Sequence, residues 1–287
     1  MSSFAQMKQN RQSQLANLTT ELEKTQIVTS FVDDRIWKCE RDKSGNGYAV
    51  IRFLPPSEGE DLPWVRVWDH GFQGPGGWYI ENSLTTLQQN DPVSEYNTSL
   101  WNNGTQTGKD QARKQKRRLN YYSNILVIKD PANPENEGEV RIFRYGKKIF
   151  DKINDVMNPE FEDESPVNPF DFWEGANFKI KVRMVEGYVN YDKSEFDPIA
   201  PLAGSDEELQ SVWEKQYLLN DFLAADKFKS YGELKAKLNR VLDIGIDDAE
   251  DTSTPFTETE EPEIPAQAAG ESTETLSYFQ KLANEEY

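Results

Sequence analysis

Sulfur and imidazole are almost missing from this chain: its 287 residues carry one cysteine, Cys39, and one histidine, His70. One thiol cannot close an internal disulfide. One thiol and one imidazole cannot fill a tetrahedral Cys/His zinc site, and a Cys–His nucleophilic pair would exist only if Cys39 and His70 met in space. Carboxylate-only metal chemistry stays open on composition. No stretch approaches the roughly eighteen apolar residues of a membrane span, and no early apolar run has the form of a signal peptide. The Asn-x-Thr triplets at Asn17 and Asn103 therefore have no secretory route that would glycosylate them. A reducing cytoplasm is the expected compartment, with no membrane partner. Mean hydropathy of −0.79 and a hydrophobic fraction of 36% are low. Seven Trp, twelve Tyr and fifteen Phe nevertheless exceed what a disordered chain carries, so a core is expected.

Positive charge is scarce and unevenly placed. Of a formal net charge of −18, residues 243–287 supply −12, from thirteen acids and one lysine. Against this, six of the ten residues from Lys109 to Arg118 are basic: Lys109, Arg113, Lys114, Lys116, Arg117 and Arg118. Tyr121 and Tyr122 follow at once. Cations displace the counterions of a phosphate backbone and ring faces stack bases of any sequence, so this order suits a single-stranded polynucleotide. Phe143, Arg144, Tyr145 and Lys147 continue the alternation of ring and cation. The same basic run fits a solvated loop, and Trp101, Phe143, Tyr145, Tyr188 and Tyr191 fit a core equally well. His70 reads as a structural, hydrogen-bonding residue.

Residues 4–24 have the three- and four-residue apolar spacing of a short amphipathic helix, with Lys8 and Arg11 beside it. From Trp37 the pattern changes to strands. Tyr48–Leu54, Val65–Trp68, a segment starting at Trp78, Tyr121–Ile128, Val140–Tyr145 and Phe178–Val185 are β-rich runs punctuated by Gly and Pro. Ser205-x-x-Glu208 and Ser230-x-x-Glu233 are capping boxes that open two late helices. This implies an α+β, mainly β body. After Ile246 the chain is too acidic and polar to offset its ordering entropy and is expected to be disordered. Within it, Leu276, Tyr278, Phe279 and Leu282 restore some apolar character and read as a docking peptide for partner proteins.

Several strings carry a family resemblance: Gly45-Asn46-Gly47-Tyr48-Ala49-Val50-Ile51-Arg52-Phe53-Leu54-Pro55, His70-Gly71-Phe72, Trp78-Tyr79-Ile80-Glu81, Asn124 through Pro131, Pro134-Glu135-Asn136-Glu137-Gly138, Gly146-Lys147-Lys148-Ile149, Trp173 through Phe178, and Lys227-Phe228-Lys229-Ser230. In this order, over about Trp37 to Leu234, the chain resembles the helix-destabilising, single-stranded-DNA-binding proteins of T-even-type bacteriophages. The resemblance implies an OB-fold core over 28–242 with an inserted subdomain at about 62–118. It also implies a basic arm over 1–27 for protomer-to-protomer cooperativity through Lys8 and Arg11, and an acidic tail over 243–287. It places Lys116-Arg117-Arg118-Leu119-Asn120-Tyr121 at the family's basic segment ending in a DNA-contacting Tyr, and Trp101, Phe143, Tyr188 and Tyr191 at other aromatic positions. Arg11-Gln12-Ser13-Gln14-Leu15-Ala16 is a thinned form of the family's cooperativity motif. The family's structural zinc is not expected here. Of its ligands only His70 remains, Ser83 takes the second place, and Asp91-Pro92-Val93-Ser94 replaces a Cys-Pro-Val-Cys pair. Apolar packing by Leu84, Leu87 and Trp101 is the expected substitute.

The expected function is a non-enzymatic, cooperative coat for single-stranded DNA in the cytoplasm of an infected bacterium, serving replication, recombination and repair. Its partners would be DNA, further copies of itself, and phage replication and recombination proteins drawn by the tail. An acidic-tailed interaction hub with only incidental nucleic-acid binding is the alternative, and a carboxylate-metal nuclease has no ordered Asp/Glu motif to support it.

Overall fold

The computed structural model describes residues 33–161 and 163–244. The expected helix over 4–24 with Lys8 and Arg11, and the acidic segment with Leu276, Tyr278, Phe279 and Leu282, lie outside these residues. The chain divides into a unit ending at Ile36 and a unit beginning at Trp37. In the first, Arg35 forks onto the Asp33 carboxylate, its Nε and Nη2 donating at 2.9 and 2.7 Å. All that follows concerns the second.

The strands are β1 (Ile36–Trp37), β2 (Gly47–Phe53), β3 (Val65–Gly74), β4 (Gly77–Asn82), β5 (Arg118–Lys129), β6 (Val140–Tyr145), β7 (Asn177–Val185), β8 (Tyr188–Asn190) and β9 (Glu195–Phe196). The helices are α1 (Pro92–Asn102), α2 (Gln106–Lys114), α3 (Lys147–Met157), α4 (Asp206–Glu214) and α5 (Tyr231–Leu242). The main path of the sheet runs β6-β5-β2-β7-β8. β5 organises it. One flank of this strand pairs with β6 through residues 121–126. The other flank takes β3 opposite 118–122 and β2 opposite 125–129, so β2 and β3 lie end to end along it.

Two apolar clusters fill the body. The larger joins Trp37, Phe53, Tyr121, Phe143, Tyr145, Phe170 and Phe178 with Ile51, Ile125, Ile149, Ile153 and Ile180, each fully buried Phe or Ile contributing about 1.5–3 kcal/mol. Trp37 Nε1 donates to Asp130 Oδ2 at 2.8 Å, which satisfies the indole there. The second cluster gathers Phe72 and Tyr79 of the β3–β4 hairpin, Leu84, Val93 of α1, and Leu234, Leu238 and Val241 of α5. Helix α5 therefore completes the packing of the segment between β3 and β5. Of the residues expected to hold that segment, Leu84 is in this core, whereas Leu87 and Trp101 are not among its members.

Helix ends follow local chemistry. Asp91 caps α1 by accepting from the Val93 and Ser94 amides, with Pro92 at the first helical position. Ser230 and Glu233 form the full reciprocal box of α5. At α4 the expected box is half made: Ser205 accepts from Glu208 N, but Glu208 Oε2 accepts from Gly204 N instead. The six strands read from sequence are present with modest changes at their ends, and β3 extends six residues past Trp68 to Gly74. Part of the basic strip, read as a loop or a lead into a strand, is helical as α2.

Candidate nucleic-acid interface

Side chains alternate along a strand, and residues directly opposite share a face. Register therefore sorts the expected site residues. Arg118, Asn120 and Tyr122 share one face with Asp69, Val67 and Val65 of β3 and with Arg144 of β6. Leu119, Tyr121 and Ser123 share the other with Trp68 and Arg66 of β3 and Tyr145 and Phe143 of β6. The strip and the rings that follow it are thus split between two faces of one sheet.

On the aromatic face, Tyr121 stacks on Phe150 of α3 with centroids 4.0 Å apart and on Tyr145 at 5.6 Å. Phe143 stacks on Tyr145 at 5.3 Å. Tyr121, Phe143 and Tyr145 are 6%, 6% and 3% exposed, so as described their rings are packed among protein neighbours. Burial pushes the Tyr145 phenol up, against the opposing hydrogen bond with Ser123 Oγ at 2.9 Å. Tyr188 is buried, and Tyr191 is half-buried with its phenol likewise raised by burial. Tyr122, on the opposite face, stacks on Phe222 at 4.3 Å.

The arginine face is organised by a carboxylate that sequence reading missed. Asp69 Oδ1 accepts from Arg118 Nε at 2.9 Å, and its Oδ2 accepts from Arg144 Nη2 at 2.7 Å and Asn120 Nδ2 at 2.8 Å. Arg144 Nε also donates to Asn120 Oδ1 at 3.1 Å. Two cations are held by one anion, so the cluster keeps a positive excess. Arg66, opposite Tyr121 and exposed, is a further cation absent from the expected set.

The α1–α2 pair carries the rest. Lys109 Nζ and Arg113 Cζ stand 5.7 and 5.4 Å from the centroid of the Trp101 ring, a cation–π arrangement. Arg113 also pairs with Asp110 at 2.8 Å, and Arg117 lies over Trp68 at 4.3 Å. Lys114 and Lys116 are exposed. Lys147 pairs with Asp151 at 2.8 Å, one turn along α3.

The positions aligned with the family's metal ligands do not fit zinc. His70 Nδ1 is 3.0 Å from Gln115 O and its Nε2 is 3.2 Å from Asp91 Oδ1, so both ring nitrogens face oxygen acceptors. Asp91 itself is spent on the Leu84, Val93 and Ser94 amides, and Ser83 Oγ sits 3.0 Å from Thr85 Oγ1. Serine hydroxyls are poor zinc donors. Among the described residues no three His, Cys, Asp or Glu side chains gather as a metal site. Cys39 packs on the larger cluster and His70 lies beside Tyr79 in the other, so no Cys–His pair forms. Burial, with the nearby Asp130 charge, pushes the Cys39 thiol up to about 12. No helix among the described residues is long and apolar enough to cross a membrane.

A sheet-built body with a basic strip and anchored arginines beside rings has the make-up of a nucleic-acid-binding domain. The family model described as gp32 DNA binding protein like matches residues 45–242, and the chain belongs to that family. It is 42% identical over 220 residues to the single-stranded DNA-binding protein of Enterobacteria phage T2, covering 74% of this chain and 72% of that one. To the single-stranded DNA-binding protein of Enterobacteria phage T4 it is 41% identical over 224 residues, covering 76% and 73%. The resemblance read from the motifs is thereby met.

Proposed function

We propose that this chain is a non-enzymatic, sequence-nonspecific single-stranded-DNA-binding protein that coats DNA cooperatively during phage replication, recombination and repair in the host cytoplasm. The observation that carries the reading is identity of 41–42% across three quarters of the chain to two phage proteins named for that activity. The strands around β5 form an OB-type core, and the segment of about 62–118 is its insert, held without zinc. Residues 1–27 link neighbouring protomers. Residues 243–287, with −12 of the net charge, compete with DNA for the cations and recruit replication and recombination proteins.

The test is anisotropy with labelled oligonucleotides of mixed sequence, single-stranded and duplex, at several lengths and with Mg²⁺. Single strands should bind more tightly than duplex with little base preference, because ring faces read no base edge. Affinity per protomer should rise on long strands, and the DNA should stay intact. Equal affinity for duplex, or cleavage, would overturn the reading.

A further inference from the structure

The outer side of the β3–β4 hairpin carries a large ring outside the expected site set. Along β4, Tyr79 is fully buried, whereas Trp78 and Ile80 are 51% and 47% exposed. Register fixes what lies beside them. Across the hairpin Trp78 faces Gln73, Ile80 faces Gly71 and Asn82 faces Asp69, and Asp69 faces Arg118 on β5. Trp78 and Ile80 therefore lie on the arginine face. The backbone supplies an independent check: a Cβ at Gly71 would overlap the Arg118 guanidinium. Arg118, anchored at Asp69 through Nε, thus reaches across β3 at the one position without a side chain, toward Ile80.

The platform beneath Trp78 is fixed. Phe72 and Tyr79 stack at 5.0 Å on the inner side. At the hairpin tip Gly76 N donates to Val241 O at 2.8 Å, and both Gly74 and Gly76 approach the end of α5 too closely to admit a Cβ. An aromatic ring held on such a support loses little freedom when a second ring stacks on it. Tyr121, Phe143 and Tyr145, by contrast, are covered by their neighbours. The side chains of Arg118 and Arg144 are 35% and 36% exposed against 11% for Asp69, so the cations, not the carboxylate, meet solvent.

The geometry points to a second contact strip for single-stranded DNA, running from Arg144 and Arg118 over Gly71 to Trp78, in which the guanidiniums meet phosphate oxygens and the Trp78 indole stacks a base. Single-stranded DNA fits because a flat ring and guanidiniums lie on one face with Gln73, Gly71 and Asn82, none of them acidic. A duplex keeps its bases stacked internally and offers the indole nothing. The inference rests on the function proposed above and deepens it.

Full-length protein would be titrated with fluorescein-labelled oligothymidylate as wild type, Trp78→Ala, Trp78→Phe and Trp173→Ala, the last removing another exposed ring, 59% accessible. Trp78→Ala should weaken binding on the order of tenfold, the usual cost of removing one base stack. It should leave the melting curve and the salt slope unchanged, because the ring is exposed and uncharged. Trp78→Phe should restore most of the affinity, and Trp173→Ala should bind as wild type. An oligonucleotide carrying iododeoxyuridine should photo-crosslink to the peptide that contains Trp78. Unchanged affinity in Trp78→Ala would overturn the strip while wild-type binding leaves the proposed function standing. Absence of wild-type binding would overturn both.

Discussion

Asp69 and Asp91 are both nearly buried carboxylates, yet they hold different partners. Asp69 gathers side chains that belong to β5 and β6, two guanidiniums and an amide. Asp91 gathers backbone amides and one imidazole, and so ties the start of α1 to Leu84 and to β3. Burial alone would raise the Asp91 carboxyl, but the His70 hydrogen bond and charge, with the Ser94 and Leu84 amides, outweigh it, and the group titrates below its ordinary value of 3.8. A depressed folded value contributes stability that is fully present above the unfolded value and is lost as pH falls through the folded one. Asp91→Asn should therefore lower the urea midpoint at neutral pH and give a shallower decline than wild type below about pH 4. Parallel acid titrations of the two proteins would show it, and identical curves would mean that the carboxylate charge contributes nothing. Neither carboxylate was legible as a hub in the sequence. Asp69 and Arg118 are 49 positions apart, and only the β3–β5 register brings them together.

Among the elements, α5 has a role out of proportion to its length. Its capping box was readable because Ser230 and Glu233 sit at the required spacing, but its target was not, since the cluster that it completes comes from residues 72–93. Leu234 is fully buried there. Leu234→Ala should cost about 2–5 kcal/mol by the usual loss of burial plus cavity. Hydrogen exchange should rise first in the β3–β4 hairpin and α1, while β2 and β7, in the other cluster, stay protected. Uniform loss of protection would show that the two clusters unfold as one. The strands were legible because alternation and Gly/Pro punctuation survive in a single sequence. Helix α2 was hidden because only Gly108 and Ala112 are buried on it, leaving no apolar period to read. Helix α3 does bury Ile149 and Ile153 at helical spacing, but its opening lysines drew attention as cations rather than as a helix start. Of the candidate site, the cations could be read from charge density, whereas the burial of Tyr121 and Tyr145 and the exposure of Trp78 depend on which face each strand turns inward.

For the whole molecule, a net charge of −18 opposes approach to any polyanion, so binding must come from how its cations are placed rather than from their number. Several cations are tied internally: Arg113 to Asp110, Arg118 and Arg144 to Asp69, Lys147 to Asp151, and Lys179, Lys181 and Arg183 to acids of the β8–β9 region. Lys114 and Lys116 are exposed beside them. Replacing both by Ala should weaken single-strand binding and flatten the plot of log affinity against log salt by about 0.7 for each phosphate no longer neutralised. An unchanged slope would place the phosphate path elsewhere. The pairing of β5 carries a further implication, for how such a gene can vary. With Tyr121 turned into the core and Arg118 and Asn120 turned outward, a single added codon inside this strand would reverse both sets, exposing rings and burying guanidiniums. Codons added at the turn between Lys129 and Val140 would disturb neither. Changes of length in this lineage should accordingly collect at such turns, while β5 drifts by substitution alone.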